Sequence, residues 1–404
     1  MAEYADFFPR LFLFAALLLA ALALSPLAHR LRIPAPAAFL AAGIGVGLLG
    51  VTPTEDLSVV TLEQIGAVAL YAILFLGGLD TGLSAWRRSA RPIVALGLPG
   101  TAATAASLAA IGHFVLGLDW ELAALVGIAL APTDPAAVYA VLRGRGGDTR
   151  ARTILEGESG FNDPIGISLM VVAVAMIGPE GATVGDGALR LGEELGIGLA
   201  CGIAGGLGLV LVLRATPHLD DGLQSVVVLV AAVAIGAGTT SLHGSGFLAV
   251  YAAGLIAADA WAAREGLQQA VPAAAAAVAE PVLFGLLGAA FAAKVGWIEL
   301  GQGLALALAT AFLVRPLVAG ACTIGSDLRP RERLLVSWGG LKGAVPLLLA
   351  AYPALEALDV SDETQAIVLV ATAASIIVQG ATLGAVAGPA ANEAERERKG
   401  PAPE

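Results

Sequence analysis

Read for polarity alone, the chain is a succession of long apolar runs parted by short polar breaks. The runs are continuous rather than alternating, which predicts helices and excludes a barrel of two-faced strands. Thirteen spans are expected, at 8–27, 34–50, 61–83, 92–116, 121–142, 152–178, 189–213, 222–241, 245–263, 273–293, 299–322, 333–353 and 364–387. Most are near the ~20 residues needed to cross a hydrocarbon core. Because the breaks are short, residues 1–391 are expected to form one all-α membrane domain. The tail, 392–404, is polar and charged and is expected to be disordered. The first run lacks a small-x-small cleavage site, and its stronger basic cluster (His29, Arg30, Arg32) follows it. That is the pattern of a retained span, not of a signal peptide.

The basic residues test this count. All but five of the 22 Lys and Arg fall in breaks on one face or in the tail; Arg10, Arg190 and Lys294 lie on the other face, and Arg315 and Lys342 inside spans. The positive-inside rule then puts the N-terminus outside and the C-terminus in the cytoplasm of a multi-pass inner-membrane protein. Composition agrees: 57% of residues are hydrophobic, 14% are charged, and mean hydropathy is +0.83. Aromatics make up only 5% while Ala and Gly are abundant, which suits closely packed membrane helices. The formal charge of −11 comes mostly from loops and tail, so nucleic acid has no support as a partner. Cys201 and Cys322 lie far apart in apolar runs and predict neither a disulfide nor a metal site. No cofactor is called for.

Two spans are interrupted alike. Span 5 carries Ala131-Pro132-Thr133-Asp134-Pro135, and span 12 carries Gly339-Gly340-Leu341-Lys342-Gly343-Ala344-Val345-Pro346. Pro removes a backbone donor and Gly weakens a helix, so both segments are expected to unwind near the membrane centre. The two spans are seven apart, an odd offset, as in two inverted six-helix repeats joined by span 7. Broken helices at matching places in inverted halves point to a transporter's binding site.

Buried charge gathers at these breaks. Asp134 sits amid apolar residues, and span 6 carries Glu156-Gly157-Glu158-Ser159-Gly160-Phe161-Asn162-Asp163-Pro164. Ser159 and Asp163 share a helical face, with Asn162 beside them. An ionised carboxylate at the bilayer centre costs at least ~2.5–3.5 kcal/mol. Two carboxylates with hydroxyl and amide oxygens make a hard oxygen cage, suited to K⁺, Na⁺ or Li⁺ rather than to a soft metal. Burial penalises the charged form of a carboxylate, so a proton and a cation compete for such a site, which is exchange. Glu158 is expected to pair with Arg315 or with Lys342, since an unpaired buried charge is several kcal/mol unfavourable. Lys342, in the broken helix, could instead offset the carbonyl ends or repel cations from the site. Glu280, before Pro281 in span 10, is a further candidate for the interior. Asp80, near Arg87 and Arg88, is expected to be solvated. His29, His113, His218 and His243 lie near span ends and are expected at the interfaces.

Thr133-Asp134-Pro135 followed by Glu158-Ser159-Gly160-Phe161-Asn162-Asp163-Pro164 resembles the monovalent cation:proton antiporter-1 family, NhaP type. Phe75-Leu76-Gly77-Gly78-Leu79-Asp80, Arg315-Pro316 and the run from Arg331 to Pro346 look like its potassium/proton branch, and the resemblance spans about residues 10 to 388. It implies that Asp163 and Asp134 bind cation and proton, aided by Ser159 and the Thr133 carbonyl. It implies that Asn162, where electrogenic relatives carry a second aspartate, makes the exchange electroneutral, and that Glu158 pairs with Arg315. It further implies a homodimer in which a scaffold (8–83 and 189–293) holds a mobile core (92–178 and 299–387). This chain departs from that pattern in having Leu76 where many relatives are acidic and Lys342 where Arg is usual. It also lacks the cytoplasmic regulatory domain common in that branch, which reads as a short form or a cut one.

Three other readings compete. A passive channel fits poorly, since buried carboxylates favour exchange over fast permeation. A sodium-coupled symporter of an organic anion would also use inverted repeats, but needs a larger pocket with anion donors. An intramembrane serine protease is suggested by Gly157-Glu158-Ser159-Gly160, yet needs a histidine base beside the serine.

Overall fold

A computed structural model describes residues 34–49, 59–134, 149–178, 181–216, 218–262 and 270–387, with Phe12, Ala16, Leu19, Ala20, Leu22 and Ala23 of the first apolar run. All regular structure among the described residues is helical. Helices α1 (Ala35–Leu48) and α2 (Val59–Thr81) lead through the short α3 (Leu83–Arg88) to α4 (Ala90–Phe114) and α5 (Trp120–Ala129). Then come α6 (Thr149–Ile177), α7 (Val184–Ala215), α8 (Asp221–Ser241), α9 (Gly246–Ala262) and α10 (Ala270–Ala292). The last third holds α11 (Trp297–Cys322), α12 (Pro330–Trp338), α13 (Ala344–Leu349), α14 (Tyr352–Leu355) and α15 (Ser361–Ala387). Seven of the described helices are long and apolar enough to cross a membrane. Most of span 1, span 5 beyond Asp134, and the tail lie outside the described residues.

Packing follows the small residues. Along α7, Gly198, Gly202 and Gly206 recur every four residues and face Ser245, just before α9, and Ala249 and Ala253 within it. Leu199, Ile203, Leu207 and Leu211 are exposed. Lipid is as apolar as leucine, so leucine gains nothing by leaving it, and close backbone contact decides which face turns inward. Likewise α1 meets α10 with Gly43 and Gly47 directly against the backbone of Gly285 and Ala289. At the centre Phe75, Tyr251 and Phe284 are fully buried, with Phe161 edge-on to Tyr251 at 6.1 Å between ring centres.

Proline alone does not unwind these helices. Both α6 and α10 run straight through Pro164 and Pro281, as neighbouring groups in membranes compensate a lost donor. The expected breaks, by contrast, are present: residues 131–134 and 339–343 are not helical. A second paired irregularity was not expected. Both α4 and α11 contain a wide π-turn, at Leu96–Gly100 and Thr310–Val314, again in spans seven apart.

Candidate functional site

The two unwound segments cross and bond to each other. The backbone N–H of Asp134 donates to the Leu341 carbonyl at 2.8 Å. Each break leaves helix-end groups without helical partners, which apolar surroundings cannot satisfy. Side chains supply them. The Lys342 N–H donates to Ser375 Oγ (3.1 Å), and Gln379 Nε2 donates to the Trp338 carbonyl (3.1 Å), so α15 caps both sides of the span 12 break. Lys342 Nζ donates to the carbonyls of Ala131 (3.2 Å) and Pro132 (3.1 Å), closing the open end of α5. A cation at a helix C-terminus also matches the helix dipole. Ser159 Oγ donates to the Thr133 carbonyl at 2.6 Å, and Asn162 Nδ2 donates to Thr133 Oγ1 at 2.8 Å. Thus α6 holds the other end of the same break.

Burial is close to complete. Exposure is 4% for Asp163, 2% for Lys342, 3% for Arg315 and 1% for Glu158. The guanidinium of Arg315 grips Glu158 with two parallel bonds, Nη1 to Oε1 and Nη2 to Oε2 (2.7 Å), and Nη2 also donates to the Val336 carbonyl (3.0 Å). Of the two partners open to Glu158, the structure selects Arg315, whose planar fork fits a carboxylate. Lys342 takes its other role, on the carbonyls.

Asp134 and Asp163 come together on one cavity of about 40 Å³, also lined by Thr133, Gly160, Tyr251, Glu156 and Glu280. Asp163 Oδ1 and Asn162 Oδ1 are buried and accept no hydrogen bond. Gly343 lies so close to Asp134 that an added Cβ would fall 2.0 Å from its Oδ2. Only glycine lets the span 12 backbone pass there. Among the described residues no histidine lines the cavity, and Ser159 Oγ is engaged with Thr133.

Sequence reasoning gave no role to Glu156 or Tyr251. Glu156, Gly160 and Asp163 share one face of α6 by their spacing, a signal available in the sequence. Glu156 accepts from Arg152 Nε at 2.6 Å. Tyr251 reaches the cavity from α9, which no local pattern announces. Leu76 does not line the cavity, and Asp80 is exposed near the end of α2. His113 ends α4, its Nδ1 hydrogen-bonded with the Leu118 carbonyl at 2.8 Å and its ring stacked on Trp120 at 4.1 Å.

Known proteins share this arrangement of sequence and fold. Residues 15–387 match the family described as sodium/hydrogen exchanger, transmembrane. The K(+)/H(+) antiporter NhaP2 of Shewanella sp. (strain MR-4) is 31% identical over 401 residues, covering 94% of this chain and 67% of that protein. The Na(+)/H(+) antiporter ApNhaP of Aphanothece halophytica is 27% identical over 364 residues, covering 85% of this chain and 67% of its own length. Among solved structures, the sodium proton antiporter MjNhaP1 from Methanocaldococcus jannaschii at pH 8 superposes with a TM-score of 0.77 over 95% of this chain and 98% of that one, at 22% identity. That last likeness concerns the fold.

Proposed function

This chain belongs to the sodium/hydrogen exchanger family of cation/proton antiporters, and on that premise we propose that it exchanges K⁺ or Na⁺ for H⁺ at Asp134 and Asp163. The observation that carries the proposal is that these two carboxylates, from a broken helix and its neighbour, line one small buried cavity. The membrane's two interior cations are otherwise engaged, Arg315 on Glu158 and Lys342 on the Ala131 and Pro132 carbonyls.

The chemistry runs by competition. Desolvation makes charge at Asp134 and Asp163 expensive unless it is neutralised. A proton neutralises by bonding, a bare monovalent cation by coordination, and occupancy by one disfavours the other. Asp163 Oδ1, buried without a hydrogen-bond partner, is the oxygen free to coordinate, with Asp134 on the same cavity; Asn162 Oδ1 is also without a partner, although Asn162 does not itself line the cavity. Ser159 and Thr133 hold the loop in shape and complete the oxygen set. With Glu158 and Arg315 cancelling each other, one cation exchanges for one proton. A cavity of about 40 Å³ exceeds the roughly 10–15 Å³ that one water needs, which suits a small ion with a water.

Access alternates between faces as a core (92–178 and 299–387) moves against a scaffold (8–83 and 189–293) in a homodimer of thirteen-span protomers. The matched breaks in spans 5 and 12 and the matched π-turns in α4 and α11 support an inverted repeat. The distribution of arginines supports an outside N-terminus and a cytoplasmic C-terminus. The test is cation-driven proton efflux from proteoliposomes with the membrane potential clamped. Asp163→Asn removes the site's charge with little change of shape, so exchange is lost while the protein still elutes and melts as a folded dimer. Undiminished exchange in that variant overturns the assignment.

A further inference from the structure

Two further carboxylates line the cavity, and the exchange cycle above uses neither: Glu156, which accepts from Arg152 Nε, and Glu280, which is half-buried. Glu280 lies near enough to Asp134 that the two charges act on each other. Among the described residues it has no ion pair and no side-chain hydrogen bond. The two interior cations that could neutralise it are held elsewhere, Arg315 by Glu158 and Lys342 by the carbonyls of Ala131 and Pro132. Lys294, just past the end of α10, donates to Asp362 and Gln365. A carboxylate in apolar surroundings without a protein partner is costly unless something else neutralises it.

Its mounting differs from that of the two aspartates. Asp134 and Asp163 sit on the crossing segments, joined by Asp134 N–H to Leu341 and by Ser159 and Asn162 to Thr133. Glu280 sits on α10, which is fastened to another body. Gly43 lies so close to Gly285, and Gly47 to Ala289, that a Cβ on either α1 glycine would fall 2.4 or 2.5 Å from the facing carbonyl oxygen. Any movement that re-aims the aspartates from one face of the membrane to the other therefore changes their distance to Glu280.

The cavity also has a direction. Glu156, near the start of α6, and Gly77, near the end of α2, line it, and both lie toward the arginine-rich ends of those helices. At the opposite end, the Tyr352 hydroxyl donates to Glu63 Oε1 (3.3 Å), and Tyr71 and Thr240 share a hydroxyl–hydroxyl bond of 2.9 Å, tying α14 to α2 and α2 to α8.

We infer that Glu280 is a third carboxylate of the ion site, mounted on the opposing wall, which meets the cation only while the cavity opens toward the arginine-rich, cytoplasmic face. It places an acidic contact in a chain that has Leu76 on span 3. The inference rests on the exchange reading and makes the two faces of one transporter unequal in affinity.

The experiment compares Glu280→Gln and Glu280→Asp with the unaltered protein in proteoliposomes of known orientation, titrating K⁺ and then Na⁺ from each face. Glu280→Gln is expected to keep the maximal exchange rate but to raise the cation KM on the cytoplasmic face by roughly fivefold or more, the scale of coupling between interacting sites. The outer-face KM stays as it was, and Glu280→Asp restores much of the loss. Unchanged KM on the cytoplasmic face, an equal rise on both faces, or loss of all exchange in a variant with an unaltered melting curve each overturns the inference. If the unaltered protein exchanges no cation, the functional reading itself has failed; if it exchanges and Asp163→Asn does not, only the role of Glu280 is at stake.

Discussion

Replacing Glu158 by Gln is the sharpest test of how this site is built. The substitution keeps the shape of the side chain and removes its charge, leaving the Arg315 guanidinium 3% exposed with no counter-ion. Two charge-assisted bonds are lost or weakened, Nη1 to Oε1 and Nη2 to Oε2, and only the neutral Val336 carbonyl remains as a full-strength partner. Gln keeps one oxygen acceptor and puts an NH₂ where the other stood, so at about 1.5–3 kcal/mol for each hydrogen bond to a charged group, losing one bond and weakening the other comes to about 3 kcal/mol. Removing one partner of a buried pair costs about 3–5 kcal/mol in measured cases, so the two routes agree. Thermal melting of the purified protein, followed by tryptophan fluorescence, should therefore drop sharply for Glu158→Gln and little for Asp134→Asn. Replacing the pair together, as Glu158→Leu with Arg315→Met, should recover most of the loss, because no charge is then stranded. Equal melting of the Glu158 and Asp134 variants, or a double replacement as unstable as the single one, would refute the reasoning.

Other outcomes follow from the same geometry. Gly343→Ala puts a methyl group within 2.0 Å of Asp134 Oδ2, so it should displace that carboxylate and raise the cation KM at least tenfold, while Gly208→Ala, with open space around it and away from the cavity, should transport normally. Lys342→Met removes the donor to Ala131 and Pro132; exchange should fall because the span 5 break loses its shape, and Lys342→Arg should retain more of it, as measured by initial proton efflux. In the unaltered protein the apparent cation KM should fall as pH rises, since protons and cations compete for Asp134 and Asp163; a KM independent of pH in equilibrium binding would count against a shared site.

Much of this arrangement was legible before any coordinates. Pro132 and the glycines around Lys342 marked both breaks, because they weaken the helix where no water can help. Spacing placed Ser159 and Asp163 together, and the scarcity of interior cations narrowed the partner of Glu158 to two. The choice between them needed geometry: the Arg315 fork spans both carboxylate oxygens, whereas Lys342 reaches two carbonyls of another segment. The bond from Asp134 to Leu341 joins backbones about two hundred residues apart, and no local pattern encodes it. The π-turns were equally hidden. Pro99 lies within one of them and Pro316 just past the other, but Pro164 and Pro281 sit in regular helix, so proline did not distinguish them. Tyr251 and Glu280 gain their place from the way α9 and α10 pack, a property of the whole bundle.

The wide turn at Thr310–Val314 ends directly before Arg315. Such a turn stores one surplus residue, and a surplus residue can travel along a helix like a ruck in a carpet, breaking few bonds at a time. Each step of that travel would spin the residues it passes by about 100°, swinging the guanidinium off Glu158. The bidentate pair with Glu158 would have to open for any such shift past Arg315, and so opposes it.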